Sequence, residues 1–279
     1  MLKFKIVIMK KQINALMLAA GIATFSVLTS CNQNRQTSSE QKLDSLAADS
    51  GPLSIEAMQE SNDFQNAKLD IKNVKSEAVG DSVKLTFDFD VQNYELTKQT
   101  EDGHKEHTAN SAEGQHIHFI LDNKPYVALY KPTHTVTLAK NSEHVLLCFL
   151  SRSYHLSLKT PDASVLVKFK VDANGKYVKG EDPMEPMLFY SRPKGEYKGA
   201  DTENLLLDFY VKNLNLSPDD YKVKVEVQDT AFTVDSWKPY LIKGAKAGDL
   251  EVKISLIDPK GKEVGGTYGE IERTSKIQP

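Results

Sequence analysis

The chain has 279 residues, 40% apolar and 26% charged, with a formal net charge of −3. That composition fits an ordinary globular body of one large or two average domains. It lacks the basic surplus that a nucleic-acid partner would need, so none is expected.

Residues 1–30 read as a targeting segment and stand apart from the fold. Lys3, Lys5, Lys10 and Lys11 occur there without any acidic residue, and an apolar run follows over 13–27. Met9-Lys10-Lys11 would itself make a normal start. Without this segment, 31 of the 35 basic residues face 38 acidic ones, a net charge of −7. Leu28-Thr29-Ser30-Cys31 resembles the lipoprotein signal of Gram-negative bacteria. The resemblance implies that Cys31 carries lipid and that the chain is membrane-anchored in the cell envelope, at the outer membrane facing the periplasm. The apolar run is short for a membrane span, which takes about 20 residues. Cys148, the second cysteine, then has no intramolecular partner. It lies in the apolar run VLLCFL and reads as a packed core thiol.

Residues 31–62 are rich in Gln, Ser, Asn, Asp and Glu and read as a flexible polar tether, with a short helix over 43–58 as its one candidate element. From residue 67 the hydrophobic period becomes two. Val83, Leu85, Phe87, Phe89 and Val91 alternate with Lys84, Thr86, Asp88 and Asp90, the pattern of a half-buried strand. The stretch 114–134 reads as a strand, a tight turn at Asp122-Asn123, a second strand and a break at Lys131-Pro132. The continuous apolar run over 142–150 predicts a buried strand, and 165–171 alternates again before Asp172-Ala173-Asn174-Gly175. Short strands punctuated by turns, with almost no helical period, predict an all-β chain. The expected fold is two tandem immunoglobulin-like β-sandwich domains, at 63–180 and 181–279.

An internal repeat supports the tandem arrangement. Leu205, Leu207, Phe209 and Val211 follow Leu85, Phe87, Phe89 and Val91 at an offset of 120. Further along, Asp229, Trp237, Lys238 and Pro239 follow Asp122, Tyr130, Lys131 and Pro132 at 107. The first copy therefore holds 13 extra residues between its second and third strands. All seven histidines lie in that copy, from His104 to His155. Differences between sister domains on one scaffold point to what one of them does in addition.

His116 and His118 are two apart on a strand, so their rings leave the same face. At the 107 offset they replace Val223 and Val225, which would turn them inward; a one-residue slip would turn them outward. Imidazole suits zinc and copper, and His104 and His107 on the inserted loop and His134 on the next strand complete a candidate ligand set with this pair. Ser151-Arg152-Ser153-Tyr154-His155 forms a second polar cluster. Arg152, Ser153, Tyr154 and His155 are candidates for holding a phosphate or carboxylate.

The segment 114–159 resembles small secreted β-domains of cupredoxin-like type, through His116, His118, Asp122, Pro125 and the SRSYH run. That implies metal binding, but no Cys-His-Met ligand set for electron transfer is present. The whole chain also resembles envelope lipoproteins described as phosphopeptide-binding. No nucleophile elbow, phosphate loop or HExxH motif occurs, so no enzyme is expected. The function expected is non-catalytic ligand binding by the first domain, with Zn or Cu as the candidate cofactor. The alternative is a protein or peptide interaction module for adhesion or assembly.

Overall fold

A computed structural model describes residues 51–59, 61–102, 104 and 108–278. Cys31 and His107 lie outside the described residues, as do residues 31–50 and 60 of the predicted tether. The chain is an all-β protein of paired sandwiches. In the first, β2 (Lys68–Val79), β3 (Ser82–Gln92) and β6 (Thr133–Ala139) form one sheet. The other sheet runs β5 (Val127–Leu129), β4 (His116–Leu121), β7 (Ser142–Ser151), β8 (Ser164–Val171) and β9 (Tyr177–Lys179). Between them pack Val83, Leu85, Phe87, Phe89, Ile117, Phe119, Leu146, Cys148 and Phe169. The predicted alternation of β3 therefore supplies the core, each large apolar side chain contributing about 1.5–3 kcal/mol when fully buried.

The second sandwich repeats the plan. One sheet contains β10 (Met187–Arg192), β12 (Leu205–Lys212) and β15 (Tyr240–Lys243). Facing it, β13 (Lys222–Val227), β14 (Thr230–Val234), β16 (Gly248–Ile257) and β18 (Glu270–Gln278) build the other, with β11 (Glu196–Lys198) on one edge and β17 (Glu263–Val264) against β16. The first sheet gains an unexpected edge strand, β1 (Ser54–Ala57), which pairs with β15 from Ser54↔Lys243 to Ala57↔Tyr240. The predicted tether is thus partly ordered, and the helix expected over 43–58 gives way to strand at 54–57. Ile55 packs on the second core, and Met58 N–H donates to the Pro239 carbonyl at 2.9 Å.

Strand pairing corrects the repeat. Ile117 pairs with Leu150 and Phe119 with Cys148; Val223 pairs with Leu256 and Val225 with Ile254. Ile117 therefore corresponds to Val223, an offset of 106 (223 − 117). His134 pairs with Phe87 as Tyr240 pairs with Leu207, again 106 apart. Since the earlier strand keeps 120, the insertion in the first copy is 14 residues (120 − 106). The single-residue slip matters because strand side chains alternate. Ile117 and Phe119 face the sandwich core, and His116 and His118 face the opposite way.

That opposite face is covered by the second sandwich. Ile120, Tyr126, Val145, Leu147 and Phe149 pack against Met187, Phe189 and Tyr210 as a third core between the copies. Polar groups fix the join. The β4–β5 turn carries Asp122 and Asn123, both at φ 53, as a two-residue left-handed hairpin turn requires. Asn123 Nδ2 donates to the Leu188 carbonyl at 2.9 Å and the Thr267 carbonyl at 2.7 Å. Asp208 is buried against Lys159 Nζ and Ser157 Oγ, each at 2.8 Å.

Candidate metal centre

Three histidines meet at the seam between the copies. His116 Nε2 lies 2.9 Å from His118 Nε2 and 3.1 Å from His155 Nδ1. The three candidate ligand atoms all fall within 4.8 Å of one another. Donors about 2.0–2.1 Å from a tetrahedral Zn²⁺ would stand roughly 3.3 Å apart, close to the first two spacings.

Different structural devices deliver each ring. β4 places His116 and His118 on one face by its two-residue period, both rings fully buried. His155 comes from a tight turn after β7. It is held by Arg152 N–H to the Leu156 carbonyl and by His155 N–H to the Arg152 carbonyl, both at 2.9 Å. Its φ of 70 is the left-handed region that a β-carbon disfavours, and here it aims the ring back over β4. The second copy contributes Ser191. Tyr190 pairs with Phe209 and Arg192 with Asp208, so Ser191 is the extra residue of a bulge. Its Oγ reaches His118 Nδ1 at 3.2 Å.

The surroundings hold these rings neutral. Burial pushes His116 down to about 4, against the partial support of its bond to the Gly114 carbonyl. Burial likewise drives His118 and His155 far below the usual range, helped by neighbouring imidazoles and by the positive charge of Arg192. Neutral imidazole is the form that binds metal. His116 Nδ1 sits 2.8 Å from the Gly114 carbonyl, which can only accept, so Nδ1 carries the hydrogen and Nε2 offers a lone pair. With no metal, that one lone pair must accept from both His118 and His155. A metal ion would instead take one lone pair from each ring. The bond to Gly114 and the contact with Ser191 are of the kind that orients metal-bound histidines.

The predicted ligand set is corrected accordingly. His134 belongs to the other sheet of the first sandwich, and its ring packs 4.8 Å from Phe119, whose side chain points away from His118. It cannot reach the cluster. His104 sits on the inserted loop near Tyr154, ring centroids 6.0 Å apart, outside the three-ring group. His155, expected in an anion-binding cluster, is the third member. The remainder of that cluster is occupied internally. Arg152 pairs with Asp102 at 3.3 Å and donates to the Ser61 carbonyl at 3.1 Å. Tyr154 Oη donates to Asp102 at 2.7 Å, and Ser153 exchanges hydrogen bonds with Thr100 at 3.1 and 3.2 Å. These buried residues clamp the inserted loop instead of opening toward an anion. His144, unassigned before, binds Asp122 at 2.8 Å, away from the three rings. Sequence reasoning missed Tyr126, whose ring stacks on His118 at 3.6 Å and 7°. Lys194 Nζ lies 4.1 Å and Arg192 Cζ 5.5 Å from that ring. Arg192 and Lys194 stand 66 and 68 positions from Tyr126 in the chain, so no local signal pointed to their packing on it.

No protein-family model and no curated protein matches the chain. Among solved structures it is similar to fibronectin(III)-like modules of CbhA from Clostridium thermocellum, at 12% identity over 74% of this chain and 93% of that one, with a TM-score of 0.25. Likeness at that level supports no argument, and the sandwich architecture rests on the strand pairing itself.

Proposed function

We propose that this is a non-catalytic, lipid-anchored cell-envelope protein that binds a first-row transition metal, Zn²⁺ or copper, through His116, His118 and His155. The observation that carries the reading is the convergence of three neutral imidazoles, two buried and one half-buried, at one point between two sandwiches. Imidazole donors suit zinc and copper over calcium or magnesium, which prefer oxygen. The seam position supports a holding or buffering role, because closing the site uses side chains from both copies.

Full-length protein in detergent, stripped with chelator and titrated with Zn²⁺, should bind one ion per chain. At a free ion concentration of 100 Kd the native state gains about 2.7 kcal/mol. At roughly 2–4 °C per kcal/mol, the melting temperature should rise by roughly 5–10 °C. Replacing both His116 and His118 with Ala should abolish binding and the rise together; stoichiometric binding in that variant would refute the site.

A peptide partner is favoured by one observation, a groove of about 560 Å³ where the copies join, flanked by Phe169, Val178 and the 82%-exposed Met184. Peptide capture by metal-free wild-type protein, lost on Met184→Asp, would support that reading.

A further inference from the structure

The two copies differ at one sheet edge. β6 and β15 are counterparts, since Val136 pairs with Leu85 as Ile242 pairs with Leu205, at offsets of 106 and 120. β15 is capped by β1, which runs antiparallel to it with Ile55 opposite Ile242. β6 ends its sheet, with no strand beyond it among the described residues. The difference shows residue by residue. Tyr240 and Ile242 are buried, and Leu241 and Lys243 half-buried. Their counterparts His134 and Val136 are half-buried, and Thr135 and Thr137 exposed. We propose that β6 is a docking edge for a second copy of this chain, and that the strand it takes is β14. The inference stands apart from the metal reading.

Sheet edges are normally protected against strand addition by charge, bulges or brevity. β2 carries Lys68, Asp70, Lys72, Lys75 and Glu77 and a bulge between Ile71 and Asn73. β5, β9 and β11 have three residues each, and β1 has four, Glu56 among them. β6 has seven residues, THTVTLA, without one Asp, Glu, Lys or Arg. β14, the last strand of its own sheet, has five, TAFTV, and none either.

Charge decides which edges meet. Lys131 and Lys140 bracket β6, and Asp229 and Asp235 bracket β14; none of the four has an ion-pair partner among the described residues. Antiparallel self-pairing of β6 about Val136 would set Lys140 beside Lys131 of the other copy. Self-pairing of β14 about Phe232 would set Asp229 opposite Asp235. Like charges disfavour both arrangements, whereas β6 on β14 brings lysine to aspartate. With Val136 opposite Phe232, Thr135 meets Thr233, Thr137 meets Ala231 and His134 meets Val234. Core-facing side chains then join core-facing ones, and outward ones join outward ones. Asp229 falls opposite Ala139, next to Lys140, and Asp235 opposite Thr133, diagonal to Lys131. Phe232 takes on β6 the place that Ile55 takes on β15. Because the contact joins unlike edges, it propagates head to tail instead of closing as a two-fold pair.

The test uses full-length protein in detergent, with chelator present and single cysteines at exposed positions, under mild oxidation. Mixing Thr135→Cys with Thr233→Cys chains should give a disulfide-linked dimer that neither forms alone. Adding Lys131→Glu/Lys140→Glu to the first chain should lower its yield on the order of 10-fold. Adding Asp229→Lys/Asp235→Lys to the second should restore it, which separates lost charge pairing from lost folding. No dimer above the wild-type background, or a yield indifferent to both charge reversals, would overturn the proposal. Val136→Cys chains crosslinking to themselves would overturn β14 as the occupant in favour of β6 self-pairing.

Discussion

Acid should loosen the metal-free protein before any carboxylate is involved. His116 is fully buried and its value falls from the ordinary 6.5 to about 4. The unfolded chain therefore takes the proton first. The stabilisation is complete above pH 6.5 and is lost as pH falls through the folded value near 4. At pH 5 the unfolded imidazole is protonated and the folded one is not. That difference spans about 1.5 pH units, or about 2 kcal/mol from this one ring. His118 and His155 shift in the same direction, so 2 kcal/mol is a lower figure for the cluster. Asp122, the carboxyl at the nearby turn, is also affected: burial raises it, and the bonds to His144 and the Val145 N–H, with the nearby positive charge, together more than offset this, so its loss belongs to still lower pH. Urea unfolding with chelator present, at pH 7.5 and pH 5.0, should show the decrease; thermal unfolding should show a fall of roughly 4–8 °C. His116→Gln/His118→Gln should flatten the dependence. Equal stability of wild-type protein at the two pH values would refute the argument, whether or not the variant folds.

Asn123→Ala removes three side-chain hydrogen bonds across the seam and places a β-carbon residue without a polar side chain at φ 53. It should cost about 2–3 kcal/mol, read as a lower urea midpoint; a change within error would show that the seam does not depend on this turn. Cys148 is fully buried and burial raises its thiol well above the usual value. It should resist a thiol reagent in native protein and react at once in denaturant, and rapid native labelling would contradict the core assignment. Cys31→Ala should move the protein from the membrane fraction to the soluble one, and retention in the membrane would remove the lipid-anchor proposal.

Much of the architecture was readable because strands that bury one face must alternate. Val83 to Val91 announces its core side directly, and the left-handed turn at Asp122-Asn123 is written in residue types that tolerate positive φ. The histidine pair on one face was equally legible. Its direction was not, because matching Pro-containing loops gave an offset of 107 while the strand hydrogen bonds give 106, and one residue exchanges the two faces of a strand. His155 escaped for another reason. It is brought in by a turn with a left-handed residue, 37 positions beyond His118, where no periodicity operates. His134 was included because it is near in sequence, but consecutive strands of a sandwich pass to the opposite sheet. The cations around Tyr126 come from the second copy and could be placed only by the packing of one sandwich on the other.

The pairing of β1 with β15 also sets an order of assembly. Residues 54–57 leave the ribosome early, yet their partners at 240–243 come almost at the end. Until then Glu56 has no Lys243 to bond at 2.6 Å, and Ile55 has no second core to enter. The first sandwich can complete itself from strands lying between 68 and 179. The second cannot, since its edge strand waits on a loop closure of nearly two hundred residues, and contacts so far apart in sequence form late. The three-imidazole cluster would then exist before Ser191 packs against His118, giving the partly folded chain a more open approach for metal than the finished protein has.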